Sequence, residues 1–234
     1  MGCAMSIAPV ERTVALIPLP SSRQGRDGLR LTIQGRSILD WTVDAIDQVP
    51  EIASLVFSCQ QPGWASLHDA AGASGKARYV GEPASGWVAA LRRALDVAPA
   101  SDRVLMQQPN RPLTSAAGLR SFLLAAKGQP AAAVVLPVKS TYKKVVDGRV
   151  CGTVPRDQLF QLQHTLVVDR RRLEDAVDAA LRNGWDGADE FALCQWAAIP
   201  IGLVRGSYFN LPVVRRTDVE FAELTMAQHA QPAV

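Results

Sequence analysis

Short apolar runs alternate with stretches of helical periodicity along most of the chain. Runs at 13–19, 54–59, 78–80, 103–107, 132–137, 166–169, 202–205 and 211–214 are dense in β-branched and aliphatic residues and predict buried strands. The intervening segments read as helices. Residues 37–47 place Ile38, Leu39, Val43 and Ile46 on one face, and 87–95, 116–127 and 171–182 are amphipathic in the same way. Gly184 stands just past the last of these, where a left-handed cap is expected. Thr217-Asp218-Val219-Glu220 reads as a capping box ahead of a final helix carrying Phe221, Leu224 and Met226. Strands alternating with helices predict βαβ units, hence a three-layer α/β fold around a mostly parallel, twisted sheet. One segment breaks this rhythm. Lys143 to Cys151 has β-branched runs flanking Asp147-Gly148, a strong hairpin signal, so an arm over about 139–163 is expected to project from the sheet.

Composition narrows the class further. A chain of 234 residues with 48% apolar content can bury roughly 70% of its unfolded surface, and it is read as one domain over 1–234 without a linker. No apolar run approaches the length needed to span a bilayer, and no charged segment precedes an apolar core at the start, so a cytoplasmic protein is expected. Met1-Gly2-Cys3-Ala4-Met5-Ser6 matches the minimal myristoylation pattern, although such starts are common. The four cysteines, Cys3, Cys59, Cys151 and Cys194, are far apart and suggest reduced thiols rather than a disulfide framework. Three histidines without metal-ligand spacing give no metal site. A net charge of +3 with no aromatic-interleaved basic stripe argues against nucleic acid as a partner and leaves a small anion, a phosphorylated small molecule or nucleotide, as the expected one.

Several motifs lie in a recognisable order. Val14-Ala15-Leu16-Ile17-Pro18 is followed by a loop and by Gly35-Arg36-Ser37-Ile38-Leu39; Val104-Leu105-Met106-Gln107-Gln108-Pro109-Asn110-Arg111-Pro112 closes a central strand. Pro137-Val138-Lys139-Ser140-Thr141-Tyr142-Lys143 enters the arm and Thr153-Val154-Pro155-Arg156 leaves it. Ala188-Asp189-Glu190 and Val204-Arg205-Gly206, with Asn210-Leu211-Pro212-Val213, complete the set. In order and spacing this series resembles the 2-C-methyl-D-erythritol 4-phosphate cytidylyltransferase family of nucleotidyltransferases, over about residues 14–223. The resemblance implies a nucleotide-diphospho-sugar transferase-like fold, a homodimer formed through the hairpin arm, and attack of a sugar phosphate on CTP with Mg²⁺.

Such chemistry needs cations and a metal carboxylate around the phosphorus centre. The family positions for them are altered here. The first family lysine falls near Gly28 or Leu29, with Arg30 close by; the second falls on Pro212; the metal aspartate falls on Gln108. The glycine-rich phosphate loop is replaced by Leu19-Pro20-Ser21-Ser22-Arg23-Gln24-Gly25-Arg26-Asp27, and where the family holds its nucleotide, Ala84 and Trp87 stand. On the sugar-phosphate side Arg111, Thr141, Lys143 and Arg156 match, and Asp189 is either a substrate-binding acid or the acidic start of a helix. Arg23, Arg26, Arg30 and Arg36 form either a substitute phosphate loop or a solvated one. Trp64, Trp185 and Trp196 read as packing anchors. Three readings follow: a degenerate family member with a binding or regulatory role and no cofactor; an active, diverged cytidylyltransferase of isoprenoid precursor synthesis that uses Mg²⁺, with Arg30 for the lysine and Asp189 or Glu190 for the carboxylate; or an interaction protein pairing with an active paralogue.

Overall fold

The computed structural model describes residues 11–20, 22–59, 74–81 and 86–229. Its centre is a seven-stranded sheet of β1 (Thr13–Pro18), β4 (Ile52–Cys59), β5 (Ala77–Gly81), β6 (Arg103–Gln107), β7 (Ala131–Pro137), β10 (Phe160–Asp169) and β11 (Ile201–Arg205), in the order β11-β7-β10-β6-β1-β4-β5. The pairs β1–β4, β1–β6, β4–β5 and β7–β11 are parallel. β10 alone runs antiparallel to both its neighbours, so the sheet is mostly parallel.

Period-two alternation along β1 explains the layers. Ala15 and Ile17 face a core shared with α2 (Ile38–Asp47), α4 (Ala116–Ala125) and α7 (Arg216–His229), through Leu39, Val43, Phe122 and Ala222. Val14 and Leu16 face the opposite core, filled by Leu91 and Leu95 of α3 (Trp87–Val97), Leu173 and Val177 of α5 (Arg170–Arg182), and Leu193 of α6 (Glu190–Trp196). At ~1.5–3 kcal/mol for each fully buried aliphatic or aromatic side chain, these two faces carry the stability of the fold. α2 starts where the sequence demands: Ser37 caps the amide of Asp40, and the Asp40 carboxylate returns the bond to the Ser37 amide.

The arm is present as β8 (Tyr142–Val146) and β9 (Arg149–Val154), joined through Asp147 and Gly148 at φ 48° and 73°. Positive φ at both turn positions is the geometry that favours Asp-Gly. Its residues are exposed up to Thr153 and pair only with each other. Gly184 has φ 63°, as a left-handed cap requires.

Four expectations are corrected. Residues 19–30 are not an open loop: α1 (Arg23–Leu29) forms there, capped by the Ser22 hydroxyl, which accepts from the Gly25 amide at 3.1 Å. A small antiparallel pair, β2 (Thr32–Ile33) and β3 (Arg36–Ser37), follows it. The stretch 211–214 is no strand, because Pro212 has no N–H to give a ladder. Instead Val213 N donates to Asn110 O at 2.8 Å, and Val214 N and Arg215 N donate to Asp218 Oδ2 at 2.9 and 3.0 Å. Asp218 is thus the third residue of α7 and secures the chain entering it, in place of a capping box begun by Thr217. Finally, β10 is ten residues long rather than four, with a register shift between Leu162 and Leu166 where His164 takes φ 48°. Among the described residues no helix is long and apolar enough to cross a membrane. Cys3, Trp64, Ala84 and the amino-terminal motif lie outside the described residues.

Candidate active site

The carboxyl ends of β1 and β6 open into a cleft of about 380 Å³, the usual ligand position in an open α/β sheet. Leu16 and Met106 form its floor; Trp87, Ala90, Leu91 and Ala94 of α3 form one wall; Gly25, Gly28 and Leu29 of α1 and the segment Val213-Val214 form the other. Gln108, Pro109, Asn110 and Glu190 close the end. Two local devices hold the walls in place. The amide of Val88 donates to Asp186 Oδ1 at 3.1 Å, which fixes the amino-terminal end of α3 and so the Trp87 indole. Gly28 lets α1 lie close to its neighbour, since a Cβ there would sit 3.2 Å from Val214 O.

The structure places the sequence candidates as follows. Gly28 and Gln108 line the cleft, and Gln108 N donates to His164 O at 3.2 Å. Pro212 adjoins the lining residue Val213 and is half-buried. Arg111 is 4% exposed; its Nη1 donates to Asn210 O at 2.8 Å, its Nε has no partner among the described residues, and burial pushes its pKa down to about 10. Among the described residues no carboxylate pairs with it. Thr141, Lys143 and Arg156 sit on or beside the exposed arm, with Lys143 Nζ donating to Thr153 Oγ1 at 2.7 Å and the Arg156 guanidinium to the carbonyl of Lys139. No hydrogen bond or ion pair within one chain joins these three to Arg111 among the described residues.

Asp189 is the N-cap of α6, its Oδ1 accepting from Ala192 N at 2.8 Å. This is the helix-start reading of the two. The four-arginine loop does not form. Arg23 and Arg26 fall within α1, with side chains outside the described set; Arg30 is the exposed C-cap of α1. Arg36 pairs with the carboxylate of Asp44 and lies 4.6 Å over the Trp41 ring. Trp185 and Trp196 stack on each other at 5.2 Å between ring centroids.

Sequence reasoning missed His164. Its Nδ1 lies 3.7 Å from Glu190 Oε1 and its ring packs edge-on against Phe191. The bulge that turns it this way depends on the pairing of β10 with two neighbours, and no local motif announces it. The buried Cys194 thiol beneath is pushed up to about 12 by burial first, then by Glu190 and Asp189.

The model of the family described as 2-C-methyl-D-erythritol 4-phosphate cytidylyltransferase matches residues 22–228. The chain belongs to this family. A Desulforamulus reducens protein of that name is 30% identical over 220 residues, covering 90% of this chain and 94% of the relative. A Burkholderia multivorans counterpart is 30% identical over 207 residues, 85% and 87% of the two chains. The chain spans about half the length of some other relatives, with 55% of a Halalkalibacterium halodurans protein and 58% of a Bacillus cytotoxicus protein matched. Among solved structures, 4-diphosphocytidyl-2C-methyl-D-erythritol synthase from Anaerococcus prevotii superposes with a TM-score of 0.78 at 21% identity over 93% of this chain and 97% of that one. The Thermus thermophilus cytidylyltransferase superposes at 0.70 and 24%, over 91% and 98%. These two likenesses concern the fold.

Mg²⁺, which the cytidylyltransferase family implies, does not fit the residues at this edge. Among the described residues Gln108 offers a neutral amide, Glu190 is the one carboxylate lining the cleft, and no group of three His, Cys, Asp or Glu stands together.

Proposed function

We propose that this member of the cytidylyltransferase family has lost cytidylyl transfer and acts as a small-molecule-binding homodimer. The observation that carries the reading is the charge of the cleft. Its described lining is apolar apart from a few neutral polar groups, and its one charged side chain is Glu190. Among the described lining residues a triphosphate placed there would meet a carboxylate and no lysine or arginine. Like charges ~4 Å apart repel by about 4 kcal/mol at an effective dielectric of ~20, so the cleft opposes the ligand that the family reaction needs. Gln108 and Pro212 remove the metal carboxylate and the second lysine, and each such loss costs several kcal/mol of transition-state stabilisation. The exposed arm, with Tyr142, Val145, Val146 and Val150 open to solvent, supports pairing with a second copy.

The test is pyrophosphate release from CTP with 2-C-methyl-D-erythritol 4-phosphate and Mg²⁺. Turnover is expected below detection, and values of about 1–10³ s⁻¹ would overturn the reading in favour of an active, diverged enzyme. Recovery of turnover on combining Pro212→Lys with Gln108→Asp would support specific losses on a retained frame. Co-purification of a catalytically competent relative would favour the interaction-protein reading instead.

A further inference from the structure

The first turn of α3, which carries Trp87 to the cleft, has no cap of its own. Gly86 is the N-cap residue and has no side chain to offer, and the helix ladder begins only with Ala90 N donating to Gly86 O at 3.2 Å. Amides ahead of that bond need an outside acceptor. Asp186 supplies it from 98 residues along the chain: its Oδ1 accepts from Val88 N at 3.1 Å, the one side-chain acceptor at this helix start among the described residues. The carboxylate enters a space that glycine leaves open. Gly86 takes φ 120°, and a Cβ there would sit 2.5 Å from Asp186 Oδ2. The loop that presents Asp186 is itself held fast. Gly184 turns at φ 63°, Trp185 N donates to Ala180 O at 2.9 Å, and the Trp185 indole stacks on Trp196 and covers Gly187, where a Cβ would lie 2.1 Å from the ring. Asp189 then caps α6. A rigid connection between α5 and α6 thus reaches across to a helix end that depends on it.

We propose that Asp186 is a latch on the cleft and the positioning residue of Trp87. With the carboxylate in place the first turn of α3 stays wound and Trp87 stands in the wall; with it withdrawn that turn frays at Gly86 and Trp87 leaves the floor formed by Leu16 and Met106. The opening is local, because the rest of α3 is held separately. Leu91 and Leu95 are buried in the core, and Arg92 pairs with Asp96 and Asp178 at 2.9 and 3.3 Å. The inference rests on the reading that the cleft receives a small molecule, and it names the movement that admits one.

Hydrogen exchange and cysteine labelling of the full chain test the latch. Replacing a capping acceptor by alanine weakens a helix start about 2- to 30-fold, whereas asparagine caps about as well as aspartate. Asp186→Ala should therefore speed exchange at Val88 and Ala90 by about 2- to 30-fold and leave 93–97 at the parent rate, and Asp186→Asn should keep the parent's protection. Gly86→Ala, whose Cβ displaces the carboxylate, should reproduce the effect with Asp186 still present. A carboxylate that served general stability alone would speed exchange along the whole of α3 and α5 together. Met106→Cys, on the cleft floor, reports the opening itself: iodoacetamide should label it about 2- to 30-fold faster when combined with Asp186→Ala, and at an unchanged rate when combined with Asp186→Asn. Labelling that ignores Asp186→Ala, or exchange that rises uniformly, would overturn the proposal. Pyrophosphate release measured on the same preparations keeps the two readings apart. Transfer activity defeats the loss of chemistry and leaves both latch readouts standing, whereas failure of those readouts defeats the latch alone.

Discussion

Replacing Arg111 by methionine tests whether this arginine is kept for stability or for the site. Arg111 is buried with no carboxylate partner among the described residues, and burial lowers its pKa from the ordinary 12.5 to about 10. That difference disfavours the charged folded form by ~3 kcal/mol at neutral pH, at ~1.4 kcal/mol for each pH unit. Against it stands one charge-assisted bond, to Asn210 O at 2.8 Å, worth ~1.5–3 kcal/mol. Asn210 O also accepts from Gln163 Nε2 at 3.2 Å, so Arg111→Met does not orphan it. Methionine fills much of the same volume without the charge, and the variant is expected to match the parent or exceed it by up to ~1.5 kcal/mol. Equilibrium urea unfolding at pH 7, compared at constant m-value, reads this directly. The pH dependence has a fixed sign. The folded pKa lies below the unfolded one, so the unfolded chain binds more protons between about 10 and 12.5 and the parent gains stability on the variant as pH climbs into that range. A loss above ~2 kcal/mol at pH 7 in Arg111→Met would refute the reasoning and make Arg111 a structural residue.

Deleting residues 142–154 should convert a dimer to a monomer in sedimentation equilibrium without lowering the cooperativity of unfolding, because among the described residues β8 and β9 pair with no other strand; a parent chain that is monomeric at micromolar concentration removes the dimer. Iodoacetamide at pH 8 should modify the exposed Cys151 and spare the buried Cys194, whose thiol is held near 12. Peptide mapping that finds Cys194 labelled as fast as Cys151 in the folded protein would contradict that burial.

The fold was readable wherever an apolar run was long enough to fill a layer. The run at 103–107 became β6 with the same bounds, and Ser37 opened α2 because its hydroxyl and Asp40 form a reciprocal cap. Composition misled where packing overrides propensity. Gly25, Gly28 and the arginines of 23–30 look like loop chemistry, yet α1 forms, and a side chain at Gly28 would crowd Val214 O. The direction of β10 and the positive φ of His164 come from pairing with β6 and β7, which no local pattern encodes. The cleft was half visible. Gln108, Gly28 and Trp87 were marked by departure from a family pattern, and Glu190 entered as the alternative to Asp189 for a metal carboxylate; nothing local announces that its side chain closes the end of the cleft.

Positions that depart from the family pattern, Gly28, Gln108 and Trp87, also line the cleft. After Pro212 the segment turns to Asn110 and Asp218 and becomes a wall. That wall gives α1 a surface to lie against, and Gly28 allows the close approach to Val214 O. The sheet registers little of this, because its strands are held by alternating core residues such as Ile17 and Val14 on its two faces. The carboxyl edge of the sheet can therefore vary its side chains while the frame that presents it stays intact. Pro212→Lys or Gln108→Asp alone should accordingly leave fold and stability nearly unchanged and give no transfer in the pyrophosphate assay, since each supplies only one of the groups that such chemistry needs.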